Sequence, residues 1–185
     1  TAHCQSRQVA MEPVPYLASL SWYSSWAMAR LGLCDAPQLP QNPNRALIRG
    51  AWGEQTLSVP IEGGRRRLAC VPYDRLRLSE HGNWRHAHWQ SLVSAYGAFP
   101  YFHYFEDEFA AVYAAPADTL ASLCRQLHTA LVRAAGLEEA LGWLRDTGSG
   151  LPQGVPVYDM PRNVAAIELL FMRGPETVYT LLGPC

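Results

Sequence analysis

Residues 84–105 restrict the fold of this chain more than any other stretch, because they combine helical spacing with a high density of aromatic side chains. The apolar positions that share one helical face are Trp89, Leu92, Val93 and Tyr96. Asn83 is placed to cap the start of such a helix, and Gly97 is placed to end it in a left-handed conformation. A helix with an apolar face needs other elements to cover that face, so the sequence predicts a helix at the centre of a packed domain.

The first turn of this predicted helix is polar and leaves two interpretations open. Arg85 and His86 flank the apolar face, and His88 lies below Trp84 one turn away. In the first interpretation the helix belongs to the core and only its N-terminal end is polar. In the second, Arg85, His86 and the free backbone N–H groups of the first turn face a cleft and favour an anion.

The N-terminal part of the chain predicts a strand, a helix and a second strand. Residues 8–11 and 33–39 are the strand-like runs. Between them, Ser19 or Ser21 can cap a helix that runs to about Arg30. A strand, a helix and a strand in this order form a βαβ unit, so we expect the two strands to be parallel.

A hairpin and a helical second half complete the predicted fold. Residues 46–50 and 55–61 are strand-like around a turn that contains Gly53, and a further short strand is predicted around Arg77. The helices predicted beyond the central one are residues 106–114, 119–135, 137–144 and 164–171. We therefore expect a single α/β domain over residues 1–185, with a small mixed sheet, a βαβ start, an antiparallel hairpin and a helical C-terminal half.

Charge and cysteine content exclude several classes of function. The net charge is −1, which gives no general reason to bind nucleic acid or an anionic membrane. All 15 basic residues are Arg, so the chain offers no Lys for a Schiff base. The five Cys are scattered and odd in number, so neither a CxxC metal site nor a disulfide framework is indicated, and we expect reduced thiols in the cytoplasm. No stretch has the pattern of a signal peptide or a membrane span.

Histidines are the first candidates for chemistry. His86 and His88 are two positions apart, and on a helix they point about 200° apart and cannot share one metal ion. A metal site would also need His81 or His103, so we expect neither a metal nor a cofactor. His88 alone suits general acid–base catalysis at neutral pH, because the ordinary pKa of histidine is about 6.5. The alternative is a structural histidine that hydrogen-bonds and packs under Trp84.

Glu168 is the second catalytic candidate, because a carboxylate in an apolar helix cannot stay buried and charged without a partner. Either it pairs with Arg45 or Arg85, or its pKa rises and it acts as a base. Arg45 follows Asn44 after a proline-rich loop and offers a bidentate fork to a carboxylate or phosphate. Its alternative role is a structural tie between loop and core. The three consecutive Arg at 65–67 indicate a solvated turn.

Three groups of residues follow, in order, the pattern of one protein family. The first group is Asn44, Arg45, Ile48, Gly53, Leu57, Val59 and Pro60. The second is Trp84, His88, Trp89, Leu92, Ser94, Ala95, Tyr96, Pro100, Tyr101, Phe102 and Tyr104. The third is Asn163, Glu168, Leu169, Leu170, Phe171, Gly174, Pro175 and Glu176. On these residues the chain resembles the WbqC-like family of bacteria, and the resemblance implies a single WbqC-like domain over residues 1–185.

The resemblance implies a setting in the biosynthesis of surface polysaccharides such as O-antigen, and the transfer of glycine or another acyl group to a sugar. We therefore expect an acyl- or aminoacyltransferase, with a sugar or an acyl donor as its small-molecule partner. Its catalytic residues are then His88 and Glu168, and its substrate-binding residues Asn44, Arg45, Trp84 and Arg85. The family usually has carboxylates and a Lys where this chain, over residues 33–43, has one acid and no Lys. That departure favours the alternative, a non-catalytic binding or assembly protein descended from the family.

Overall fold

A helical body that packs on one antiparallel hairpin is the architecture of this protein. The structure, a computed structural model, describes residues 13–148, 158 and 160–182. The elements in chain order are α1 (Leu20–Arg30), β1 (Arg45–Gly50), β2 (Gly53–Ser58), α2 (Arg65–Cys70), α3 (Trp84–Tyr96), α4 (Phe102–Ala114), α5 (Leu120–Ala134), α6 (Leu137–Thr147), α7 (Ala166–Arg173) and α8 (Thr177–Leu182). The mixed α/β class, the antiparallel hairpin and the helical C-terminal half are confirmed.

Helix α1 begins where the sequence predicts. The Ser19 hydroxyl accepts a hydrogen bond from the backbone N–H of Trp22 at 3.3 Å, so Ser19 rather than Ser21 is the cap. The apolar side chains that the helix buries are Leu20, Trp22, Tyr23, Trp26 and Ala27. The backbone N–H of Leu20 donates to the carbonyl of Val164 at 3.0 Å, which joins the start of α1 to the segment before α7.

Strands β1 and β2 form the predicted hairpin. The register runs from Arg45 opposite Ser58 to Gly50 opposite Gly53, which leaves a two-residue turn. The side chains of β1 that enter the core are Ala46 and Ile48. The period of two in a strand puts Arg45 and Arg49 on the other face, where neither is fully buried.

The predicted βαβ start is not part of what the structure shows. Residues 8–11 lie outside the described residues, and residues 33–39, predicted as the second strand, are an irregular loop. The loop has a physical cause, because Pro37 has no backbone N–H to donate to a neighbouring strand and Leu33 is 70% exposed. Within the described residues the sheet has two strands in antiparallel order. The strand predicted around Arg77 is reduced to isolated bridges.

Helix α3 is present, but its buried face differs from the predicted one by about one position. The residues of α3 that are buried are Trp84, His88, Leu92 and Tyr96. Trp89 is half-buried and stacks on Phe102, with 6.0 Å between ring centroids. Gly97 ends the helix at φ −58°, so the predicted left-handed conformation is wrong. A glycine is needed there because a Cβ would lie 2.6 Å from the carbonyl oxygen of Val93.

Helix α7 is the centre of the C-terminal half. Six of its residues are buried, and Phe171 contacts the rings of Tyr96, Phe102 and Phe109 at centroid distances of 5.9, 4.9 and 5.6 Å. These rings come from α3 and α4, so α7 is the element on which both helices pack. The sequence predicts that the last helix closes at Gly174, but a 3₁₀ turn there leads into α8, which packs on α1.

Candidate functional site

A cleft of about 570 Å³ opens between the start of α1, the loop of residues 38–42 and the hairpin. The amide side chains that line it are Gln38, Gln41, Asn42 and Asn163. The serine and threonine side chains that line it are Ser19, Ser21, Ser25 and Thr56. Among the described residues, no Asp, Glu, His or Cys lines this cleft. The wall therefore offers uncharged donors and acceptors, together with one cation.

That cation is Arg45, the first residue of β1. The backbone N–H of Arg45 donates to the carbonyl of Asn42 at 3.2 Å, and this turn holds Arg45 in the wall of the cleft. The Arg45 side chain is exposed, and within the described part of the chain no carboxylate pairs with it. An unpaired guanidinium at a polar cleft is suited to bind a carboxylate or a phosphate.

Asn44, the neighbour of Arg45, has a structural role. It is 6% exposed, and its side-chain amide donates to the carbonyl of Val59 at 2.8 Å. The backbone N–H of Val59 in turn donates to the carbonyl of Asn44 at 2.9 Å. Asn44 thus ties the loop before β1 to the segment after β2. It does not line the cleft, although the sequence predicts it as a substrate-binding residue.

His88 lies behind the wall of the cleft. Its Nδ1 is 2.8 Å from the hydroxyl of Tyr16, which is also 2.6 Å from the hydroxyl of Tyr113. Tyr16 lines the cleft, but its side chain is fully buried. Burial lowers the pKa of His88 to about 4, so its imidazole is neutral and weakly basic at neutral pH. This geometry suits the structural alternative for His88 better than general base catalysis.

Trp84 and Arg85 are engaged in the packing of α3. The indole N–H of Trp84 donates to the carbonyl of Ser79 at 2.9 Å, and the ring lies edge-on to His88. Arg85 donates to Glu80 at 2.8 Å and to the carbonyls of the segment after α4, Ala115 and Ala117, at 3.3 and 3.0 Å. Neither residue lines the cleft, so the structure supports the core interpretation of the first turn of α3.

Glu168 is paired with an arginine, but not with either arginine that the sequence predicts. The carboxylate is 2% exposed and accepts from Arg49 Nε at 3.0 Å, from a terminal nitrogen of the same guanidinium, and from the Tyr96 hydroxyl at 3.0 Å. The hydrogen bond to Glu168 is the main cause of a raised pKa of Arg49. The predictions of Arg45 and Arg85 as partners are wrong.

The position of α7 explains why Arg49 is the partner. The backbone N–H of Ala165 donates to the carbonyl of Leu47 at 2.9 Å, so α7 starts beside the middle of β1. Arg49 is four residues beyond Arg45 on the same face of the strand and reaches Glu168 from there. The period of a strand puts Arg45 and Arg49 on one face, but it does not choose between them as the partner of Glu168.

The remaining titratable groups do not assemble into a metal centre among the described residues. No group of three or more His, Cys, Asp or Glu side chains is close enough there to hold a metal ion. His81, His86 and His103 are exposed. Of the cysteines that the structure describes, Cys34, Cys70 and Cys124 are free thiols. Nor do the described residues include a helix long and apolar enough to cross a bilayer.

Comparison with known proteins gives a family. A search of the curated proteins and a search of the solved structures found no match to this chain. A scan against protein-family models matches residues 40–149 to the WbqC-like protein family. That range contains the first two groups of family-like residues, whereas the third, from Asn163 onward, lies beyond it. Because the match covers more than half of the 185 residues, the chain belongs to the WbqC-like protein family.

Proposed function

We propose that this member of the WbqC-like family binds a sugar that carries a negatively charged group, in the cleft between α1, the loop of residues 38–42 and the hairpin. The proposal rests on the exposed guanidinium of Arg45, which has no carboxylate partner among the described residues and lines a cleft where no described acid is found. Because no described carboxylate competes for this guanidinium, it can make charge-assisted hydrogen bonds to an anionic ligand.

The rest of the wall supports a sugar as the ligand. A sugar presents several hydroxyls, each of which can donate and accept, and side-chain amides and hydroxyls match both roles. Asn42, Asn163 and Ser21 stand on three different segments of the wall, the last of them on α1. Such a wall can meet one polar ligand from more than one side. The surface-polysaccharide setting implied by the family resemblance agrees with a sugar ligand.

The geometry favours binding over acyl or aminoacyl transfer to a sugar. Transfer needs a base close to the attacking hydroxyl or amine. The predicted catalytic residues do not meet this need, because His88 is neutral behind the wall and Glu168 is held by Arg49 in the core. Since no other described acid or histidine lines the cleft, we infer a non-catalytic sugar-binding member of the family.

Isothermal titration calorimetry with a panel of hexoses, hexuronic acids and hexose 1-phosphates tests this function. We expect anionic members of the panel to bind, and Arg45→Gln to weaken them by about tenfold or more, because a hydrogen bond to a charged group contributes ~1.5–3 kcal/mol. Arg66→Gln is the matched control, since Arg66 is exposed and does not line the cleft.

Three results would contradict the proposal. No member of the panel binds, neutral hexoses bind as tightly as anionic ones, or Arg45→Gln binds as the wild type does. A transferase has a different signature. In that case a bound sugar gains mass during incubation with bacterial cell extract, as followed by mass spectrometry, and His88→Gln abolishes the gain while binding persists.

A further inference from the structure

A second cleft of about 440 Å³ adjoins the first. It shares Gln41, Asn42 and Arg45 with the first cleft, so Arg45 stands at the junction of the two. The rest of its wall comes from α2, which contributes Arg65, Leu68 and Ala69. The two clefts therefore share part of their wall, with Arg45 lining both and Arg65 lining the second.

The three consecutive arginines have unequal positions because they lie in a helix and not in the predicted turn. Helix α2 puts Arg65, Leu68 and Ala69 on one face, three and four residues apart, and that face lines the second cleft. Arg66 does not line either cleft. The Arg67 side chain lies over Gly63, where an added Cβ would be 2.8 Å from its Cγ. Arg65 is thus the member of the run that lines the second cleft.

The positive charge in the second cleft is not balanced by described acidic side chains. Like Arg45, Arg65 has no carboxylate partner within the described part of the chain, and no described acid lines this cleft. Two guanidiniums that line one small depression repel each other, and a multiply charged anion between them removes that repulsion. The described side chains supply no such anion, so the arrangement favours one that comes from the ligand.

The number of charges distinguishes between two kinds of anion. A carboxylate has one charge and two oxygens, which a single bidentate guanidinium satisfies. A phosphate monoester carries about −1.5 to −2 charges at pH 7 and three terminal oxygens, enough for two guanidiniums. We propose that Arg45 and Arg65 form a phosphate subsite, so that the ligand of the proposed sugar-binding cleft is a phosphorylated sugar. This inference rests on the proposed function and adds the chemical class of the ligand.

The test uses two small anions, so that it does not depend on the stereochemistry of the sugar. Inorganic phosphate and acetate are titrated into the protein at constant ionic strength, and the Arg Nε–H signals are followed by NMR. We expect phosphate to shift the signals of both Arg45 and Arg65. Arg65→Gln should weaken the binding of phosphate about tenfold, as expected for the loss of one charge-assisted hydrogen bond. The binding of acetate should depend on Arg45 and not on Arg65.

Arg66→Gln is again the matched control, because it removes the same charge from the same helix outside the cleft. Equal weakening of phosphate by Arg65→Gln and Arg66→Gln would indicate a diffuse charge effect and overturn the subsite. So would unchanged phosphate binding in Arg65→Gln, or no phosphate binding to the wild type. The sugar panel is a separate readout. If hexuronic acids bind through Arg45 while Arg65→Gln has no effect on phosphate, the phosphate subsite fails and the proposed function stands.

Discussion

Replacement of His88 by Gln isolates the contribution of one buried imidazole to stability. Gln fills a similar length and keeps a hydrogen-bonding group for the hydroxyl of Tyr16, which is 2.8 Å from the imidazole in the wild type. We expect the variant to be less stable than the wild type at pH 7, because the imidazole also packs edge-on against Trp84. The informative quantity is how that difference changes with pH.

Its magnitude follows from the pKa of His88 in the two states. Burial lowers this pKa from 6.5 to about 4 in the folded protein. Below pH 6.5 the unfolded chain therefore binds a proton that the folded protein does not bind, and the wild type loses stability as the pH falls towards the folded pKa. At ~1.4 kcal/mol per pKa unit, the loss from His88 approaches about 3 kcal/mol at pH 4. Gln has no such loss, so the stability gap between wild type and variant should narrow by that amount.

Urea denaturation at pH values from 8 to 4, followed by circular dichroism, measures this gap. The gap should be constant above pH 7 and should shrink steadily below pH 6.5. Burial also lowers the pKa of His128 to about 4, but its contribution is the same in both proteins and cancels. His86→Gln is the matched control, because it removes an exposed imidazole from the same helix. A gap for His88→Gln that is the same at pH 7 and pH 4 would refute the reasoning.

Two further predictions concern the buried ion pair of Arg49 and Glu168 and two glycines, one at the end of α3 and one inside α6. Arg49→Met alone should lower the free energy of unfolding by about 3–5 kcal/mol, because it leaves the buried carboxylate of Glu168 without its partner. The double variant Arg49→Met, Glu168→Gln should lose less stability than the two single variants added together. Additive losses in a double-mutant cycle, measured by urea denaturation, would contradict the pairing. Gly97→Ala should destabilise the protein, because the added Cβ would clash with the carbonyl oxygen of Val93. Gly142→Ala should stabilise it by about 0.5–1 kcal/mol, because Gly142 lies inside α6 with open space around it. Thermal melts that rank the two variants in the opposite order would contradict this expectation.

The local features of the fold can be predicted from the sequence because each rests on a few adjacent residues. Ser19 caps α1 through a hydrogen bond to a residue three positions away. The hairpin turn lies between two strand-like runs that are close in the sequence, with Gly50 paired to Gly53. The buried face of α3 is harder to predict. Trp89 and His88 are adjacent, and contacts with distant residues decide that His88, beside Tyr16, is buried while Trp89, beside Phe102, is half-buried.

The candidate site can be predicted only where its residues are marked by their neighbours in the sequence. The place of Arg45 after the proline-rich loop indicates a ligand-binding residue, and Arg45 does line a cleft. The partner of Glu168 depends on a contact across 119 residues, which sequence spacing cannot choose among several arginines. Arg65 has the pattern of a solvated run in the sequence, because its exposure to a cleft arises only when α2 forms. The assignments of catalytic and substrate-binding roles remain predictions.

The position of α7 has a consequence for the synthesis of this protein. Phe171 fills the space between the rings of Tyr96, Phe102 and Phe109, yet it follows the last of these by a long stretch of chain. A ribosome adds about 5–20 residues per second, so these aromatic rings wait on the order of several seconds for the residue that covers them. We therefore expect the nascent chain to pass through a stage in which these aromatic rings are uncovered and open to contacts with other chains.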